Sequence, residues 1–383
     1  MELYVHIPFC VRKCRYCDFV SFPADRSNMD EYIQNLLLEA EKSNQENNKP
    51  VIETVFIGGG TPSLLPNDLT KALFEGLHQI FKIKPDAEIT VEANPGTVRE
   101  DWLDLCLSQG VNRFSIGMQA AQDRVLETLG RIHRLDAVKK TVSLLRRKNI
   151  FNYNLDLMFG IPGQTKKDWQ ETLSTALEME PAHLSCYGLI PEDGTPLKTD
   201  LDQGQLILPE PEEEREMYYL TKENLFSNGY RQYEISNFAK PGMECKHNIG
   251  YWTMKPYIGL GLAAASMSAI QKKFDGIYYQ RKTNPDTFSA YAEYVRNGSI
   301  QPETDQIDPM EARFETVMLG LRMTSGVSDE LFRSLHGITL SEAYPRVLHD
   351  LTERKLIYSE KGSWKLTDTG MDLQNTVLVE FMQ

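Results

Sequence analysis

The sequence predicts an α/β protein: a TIM-like partial (β/α)6 barrel followed by a small α+β, winged-helix-like C-terminal domain. Three observations predict it. Short apolar runs alternate with amphipathic stretches through the first half of the 383-residue chain, the pattern of repeated βα units. Glycine or polar residues recur where each run ends, as they do on the C-terminal rim of βα barrels, where the chemistry sits. A loop with three cysteines, Cys10, Cys14 and Cys17 in HIPFCVRKCRYCDF, directly follows the first run.

The elements follow in order. Strand Leu3–Ile7 leads into the cysteine loop, and a helix is expected over Met29–Lys42. Strand Thr54–Ile57 ends in Gly58-Gly59-Gly60-Thr61-Pro62, before helix Asn67–Phe81. Strand Glu88–Glu92 ends in Val91-Glu92-Ala93-Asn94-Pro95, before helix Val98–Ser108. Strand Arg113–Ile116 ends in Gly117-Met118-Gln119, before helix Leu135–Lys148. Strand Asn154–Met158 carries Asp156 ahead of Phe159-Gly160-Ile161-Pro162-Gly163; helix Lys167–Met179 and strand His183–Leu189 complete the set. A glycine run alone is often a turn needing positive φ, and a lone acid or amide at a strand end often caps the next helix. Turns and caps do not account for all five endings falling on one rim.

Composition sets the bounds. With 41% hydrophobic and 25% charged residues the chain is globular. Six cysteines, three of them clustered, do not form a disulfide framework and indicate a reducing compartment. The start, MELYVHIPFC, lacks the basic region and long apolar core of a secretory signal. No apolar stretch reaches the length of a membrane span; Tyr257 to Ile270 comes nearest and reads as a buried loop or helix. A net charge of −13 argues against bulk binding of nucleic acid. The expected location is the cytoplasm.

Three thiolates at C-x-x-x-C-x-x-C spacing suit a soft metal, either zinc or an iron–sulfur cluster. Structural zinc needs a fourth ligand, for which His6 is the local candidate. A [4Fe–4S] cluster on three cysteines instead leaves one iron open to a further ligand.

From YVHIPFC-x-x-x-C-x-x-C through GGGTP, EANP and LDLMFGIPGQT to LTDTGMDLQN, nearly the whole chain resembles the radical S-adenosylmethionine (SAM) superfamily. Within it the chain is similar to the group of oxygen-independent coproporphyrinogen III dehydrogenases and HemW-type heme chaperones. The resemblance implies a [4Fe–4S] cluster on Cys10, Cys14 and Cys17, with SAM at the open iron. It implies that Tyr4 and Tyr16 lie against cluster and SAM, and that Gly59, Gly60 and Thr61 meet the methionine end. Glu92, Gln119, Arg131, Asp156 and Ile190 match further SAM-contacting positions. Chemically, Glu92 or Asp156 can accept from ribose hydroxyls and Arg131 can pair with the methionine carboxylate.

Two departures choose between subgroups. The dehydrogenase carries a fourth cysteine two places after the third, where this chain has Phe19, as heme chaperones do. The segment from His247 to Trp252 reads H-N-x-x-Y-W, a heme-chaperone signature. His247 is thereby a candidate heme ligand, with Tyr251 and Trp252 flanking the porphyrin; the alternative is a buried histidine with core aromatics. Relatives often place a histidine where Ala265 stands. Cys106, Cys186 and Cys245 read as packed core residues. The favoured function is a heme chaperone binding SAM, a [4Fe–4S] cluster and heme, and delivering heme to acceptor hemoproteins such as membrane-associated respiratory cytochromes, with a homodimer possible. The alternative is a coproporphyrinogen dehydrogenase that decarboxylates propionates through a deoxyadenosyl radical.

The expected division is a barrel over 1–190, an acidic connection and H-N-x-x-Y-W region over 191–305, and the winged-helix-like domain over 306–383. Pro191 to Glu214, rich in Pro, Asp and Gly, is expected to be a mobile connection. Helix Met217–Phe226, strand Tyr233–Ile235 and a strand pair, Leu356–Ser359 with Trp364–Leu366, are expected beyond it.

Overall fold

The computed structural model of the protein describes residues 1–272 and 276–382. The barrel is built from β1 (Glu2–Ile7), α1 (Arg26–Glu46), β2 (Val51–Gly59), α2 (Asn67–Ile80), β3 (Lys82–Ala93), α3 (Glu100–Ser108), β4 (Arg113–Gln119), α4 (Asp123–Thr128), α5 (Leu135–Arg147), β5 (Tyr153–Phe159), α6 (Lys166–Glu178) and β6 (His183–Gly188). There follow α7 (Pro196–Asp202), α8 (Pro211–Ser227), β7 (Arg231–Gln232), β8 (Asn237–Ala239), α9 (Lys246–Trp252), β9 (Tyr257–Leu260), β10 (Ala265–Lys272), β11 (Gly276–Thr283), α10 (Phe288–Asn297) and β12 (Glu303–Ile307).

Strands β1 to β6 pair in parallel and in sequence order, as the βα pattern requires. The sheet does not close. It runs to twelve strands, with β9 to β12 added beside β1 and the short β8 and β7 beyond β6. Tyr257 to Ile270, expected as a buried loop or helix, forms β9 and part of β10 instead: β9 pairs in parallel with β1, burying Ile258 and Leu260 in the main core. The connection expected to be mobile is folded. Leu197 of α7 is buried, and its N–H donates to Arg15 O at 3.0 Å, strapping α7 to the cysteine loop.

Strand alternation explains what the barrel holds. Leu3, Val5 and Ile7 of β1, Val55 and Ile57 of β2, Phe114 and Ile116 of β4 and Leu155 and Leu157 of β5 belong to the main core. The alternate positions are polar: Glu2, Tyr4 and His6; Thr54; Glu88, Thr90 and Glu92; Arg113 and Ser115; Asn154 and Asp156; His183 and Ser185. The register sets them side by side, with Glu92 opposite Ser115, Ser115 opposite Asn154, and Asn154 opposite His183.

The C-terminal domain contains α11 (Pro309–Gly320), β13 (Val327–Ser328), α12 (Asp329–His336), α13 (Leu340–Ala343), α14 (Pro345–Glu353), β14 (Ile357–Glu360) and β15 (Ser363–Leu366). Its strands form a three-stranded antiparallel sheet in the order β13-β15-β14, over a separate core that includes Phe332, Leu351 and Ile357. The expected strand Tyr233–Ile235 is the turn between β7 and β8. Among the described residues no helix is long and apolar enough to cross a membrane.

At the base of the barrel Glu2 is 0% exposed, and neither carboxylate oxygen has a hydrogen-bond partner among the described residues. Burial pushes its pKa from 4.5 up to about 8, against the pull of Lys255 and the N-terminal amine. The folded chain therefore keeps a proton that the unfolded chain releases. This group's contribution to stability is full below pH 4.5 and is lost as pH rises toward 8. Glu2→Gln removes the loss, and thermal melts should show a gain of a few degrees (~5 °C) at pH 8 and none at pH 4.5. Equal gains at both pH values would contradict the assignment.

Candidate functional site

The cysteine loop spans the mouth of the barrel and is tied down at both ends. Cys10 N donates to Phe22 O at 3.1 Å and Phe22 N to Pro8 O at 2.9 Å. Arg15 N donates to Leu129 O at 3.0 Å, Arg12 Nη2 donates to Gly130 O at 2.9 Å, and the Arg15 guanidinium pairs with Asp200 of α7. Cys10, Cys14 and Cys17 are free and half-buried, whereas Cys106, Cys186 and Cys245 are buried. Thr61 Oγ1 lies 3.5 Å from Cys10 Sγ, and Arg131 Nη1 donates to Cys14 Sγ at 3.6 Å.

The glycines after β2 are required by close approach. Gly59 has φ +106°, and the His6 ring fills the space where its Cβ would stand. A Cβ on Gly60 would lie 2.7 Å from Ile7 O and 2.8 Å from Phe9 O. His6 Nε2 donates to Val20 O at 2.8 Å, which leaves Nδ1 to accept from Tyr4 Oη at 3.0 Å. His6 is thus an internal brace of the loop.

Around the mouth, Glu92 Oε2 accepts from Gly59 N at 3.0 Å. Burial, with Asp156 nearby, pushes the Glu92 carboxyl up to about 7. Asp156 Oδ1 accepts from Asn154 Nδ2 at 2.7 Å and Oδ2 from Ser115 Oγ at 3.1 Å, while burial raises its pKa. Gln119 sits at φ +64° with its Oε1 buried and without a partner among the described residues. Arg131 Nη2 donates to Gly117 O at 2.9 Å and Nε to His133 Nδ1 at 3.3 Å; His133 Nε2 in turn donates to Met118 O at 3.3 Å. Sequence reasoning missed His133, whose only signal was its place two residues after Arg131 in a loop without periodicity. Tyr16 packs on the apolar cluster of Leu126, Leu129 and Leu197, and Tyr4 stacks on Phe56 at 6.4 Å. Ile190, just beyond β6, is 70% exposed, and Phe19 of the cysteine loop is 66% exposed.

The H-N-x-x-Y-W segment lies elsewhere, as α9 at the opposite end of the barrel. Glu88 caps it, accepting from Lys246 N at 3.2 Å and His247 N at 3.1 Å, and Cys245 Sγ donates to Glu88 at 3.6 Å. His247 is 1% exposed and stacks on Phe56 at 5.3 Å. One ring nitrogen bonds Thr54 Oγ1 at 2.7 Å and the other Tyr251 Oη at 2.9 Å. His247 was expected as a heme ligand; here both of its ring nitrogens are engaged within the protein, and burial lowers its pKa to about 3. Tyr251 Oη is bonded to His247, and the Arg322 guanidinium lies 4.6 Å from the Trp252 ring.

Among the described residues no three His, Cys, Asp or Glu side chains are grouped to hold one metal ion. That disfavours a mononuclear zinc site with His6, which is already committed to Val20 and Tyr4. A cluster bound through three thiolates fits the loop better, because each thiolate takes a different iron. The unpartnered Gln119 oxygen, the carboxylates of Glu92 and Asp156, and the close-packed glycine turn fit a polar ligand held beside it.

Comparison with known proteins gives the class. A model of the radical SAM superfamily matches residues 4–176, and one of the HemN C-terminal domain matches residues 307–373. The structure of "Coproporphyrinogen III oxidase (HemN) from Escherichia coli", a radical SAM enzyme, superposes with a TM-score of 0.82 over 100% of this chain and 90% of that one, at 20% identity, a likeness of fold. Fold and loop together are those of a radical SAM protein. Two curated relatives narrow the class. The "Heme chaperone HemW" of Bacillus subtilis (strain 168) is 36% identical over 99% of this chain and 98% of its own length. That of Escherichia coli (strain K12) is 39% identical over 100% and 98%. The chain belongs to the HemW family of the radical SAM superfamily.

Proposed function

We propose that the protein is a cytoplasmic heme chaperone that holds a [4Fe–4S] cluster on Cys10, Cys14 and Cys17, binds SAM at the remaining iron, and passes heme to acceptor hemoproteins. One observation carries it: three free, half-exposed thiols at a barrel mouth ringed by Gly59, Gly60, Glu92, Gln119, Arg131 and Asp156. The cluster, when bound, supplies the electron for reductive cleavage of SAM. The chain's own residues bind and orient. Gly59 and Gly60 bring backbone close to the methionine end, with Thr61 beside Cys10. Arg131, braced by His133 and Gly117, meets the carboxylate. Glu92 and Asp156 accept from the ribose hydroxyls and Gln119 Oε1 takes a further donor. Tyr4, Tyr16 and Ile190 supply the walls.

Heme belongs at the same mouth, where Phe19 and Ile190 present apolar surface beside the cysteine loop. Phe19, in place of the dehydrogenase's fourth cysteine, supports a chaperone over a coproporphyrinogen dehydrogenase. An anaerobic heme titration of the reconstituted protein, followed through the Soret band, tests this. Saturable binding is expected, weakened roughly tenfold by Phe19→Asp with iron content unchanged, since an apolar side chain of that size is worth about 1.5–3 kcal/mol when covered. Transfer to a heme-free acceptor should follow. Absence of heme binding, or turnover of coproporphyrinogen, would defeat the proposal.

A further inference from the structure

Beneath the mouth a line of buried polar groups crosses the barrel, and chemistry fixes the direction of each bond. A carboxylate only accepts, so Asn154 must present its Nδ2 to Asp156 Oδ1, 2.7 Å away. Its Oδ1 then accepts from His183 Nδ1 at 2.7 Å and Ser185 Oγ at 3.2 Å. His183, protonated at Nδ1, can only accept at Nε2, where Tyr233 Oη donates at 2.8 Å. Tyr233 Oη itself accepts from Cys245 N at 3.4 Å, the residue that opens α9. Every donor points the same way, toward Asp156. The intermediate residues are all buried, and burial beside Arg113 keeps His183 neutral, so its ring holds one proton and one tautomer.

We propose that Tyr233 and His183 are positioning residues: with Asn154 they form a one-way chain of hydrogen bonds from the start of α9 that fixes the Asp156 carboxylate for ligand binding at the mouth. The proposal rests on Asp156 as a ribose-binding group. Without the Tyr233 hydroxyl, the His183 proton is free to move to Nε2. Asn154 Oδ1 then keeps only the longer bond from Ser185 Oγ, at 3.2 Å, and the amide that donates to Asp156 is held less firmly. The H-N-x-x-Y-W segment thereby acts on the mouth from below, through Cys245 and the chain, without touching a ligand.

The test uses the full-length, reconstituted protein. Tyr233→Phe should raise the dissociation constant of SAM roughly tenfold, the worth of one buried hydrogen bond, with iron content unchanged. In an Asp156→Asn background the same substitution should add less than about twofold, because the two act as one unit. Nitrogen NMR of 15N-histidine protein, with His183→Gln giving the assignment, should show Nδ1 protonated in the wild type and a mixture in Tyr233→Phe. His183→Gln keeps an acceptor and a donor and should bind SAM more tightly than His183→Leu. Indifference to Tyr233→Phe where Asp156→Asn weakens SAM overturns the proposal alone. Unchanged affinity in Asp156→Asn overturns the ribose assignment and the proposal with it. An Nε2-protonated wild-type ring overturns the chain.

Discussion

Cys14→Ser yields a folded protein that assembles no cluster. Reconstituted wild type should take up about four irons per chain and show broad absorbance near 400 nm (roughly, as thiolate-ligated clusters do); the variant should show neither. The prediction follows from position. Cys14 is half-buried on a loop whose anchors are backbone bonds from Cys10, Arg15 and Phe22, and its Sγ accepts a hydrogen bond from Arg131. Serine removes a thiolate without opening a cavity, so the melting temperature of the metal-free chain should move by no more than about 0.5 kcal/mol would move it. Cys106→Ser is the control: that thiol is buried in α3, among the main core, and its loss should cost stability while leaving iron uptake intact. Colour retained in Cys14→Ser, or lost in folded Cys106→Ser, would refute the ligand assignment.

Gly60→Ala should be nearly as damaging, by a different route. Its new methyl would stand 2.7 Å from Ile7 O, 2.8 Å from Phe9 O and 2.9 Å from Phe9 N, all backbone atoms that cannot rotate aside. Ile7 O also accepts the Gly60 N–H at 2.8 Å, so the strain falls on the bond that joins the ends of β1 and β2. Overpacking of this kind costs about 1–3 kcal/mol, and the segment that must give way leads directly into Cys10. Iron content should fall several-fold along with the melting temperature. Gly96→Ala, whose Cβ would meet only the His133 Cβ at 4.0 Å, should change neither. Equal behaviour of the two variants would remove the argument.

Much of the rim was legible in the sequence, because strand ends carry punctuation. Gly59, Gly60, Glu92, Gln119 and Asp156 each close an apolar run, and parallel pairing in sequence order brings those closures together. Less legible were the polar residues inside the strands. Thr54, Glu88, Arg113, Asn154 and His183 alternate with core residues, and in isolation each looks like the solvent face of a strand. In a barrel that face turns inward. Position in the chain also concealed the role of His247, whose partner Thr54 lies 193 residues away. The short strands β7 to β9 and the strap α7 are too brief to show a period and owe their form to what they pack against.

Helix α9 stoppers one end of the barrel, with His247 stacked on Phe56 and bonded to Thr54, and Gly250 pressed against Glu2. Entry from that end would have to break both ring bonds of His247, so the strand ends that carry Gly59, Glu92 and Asp156 are the side from which a ligand can approach.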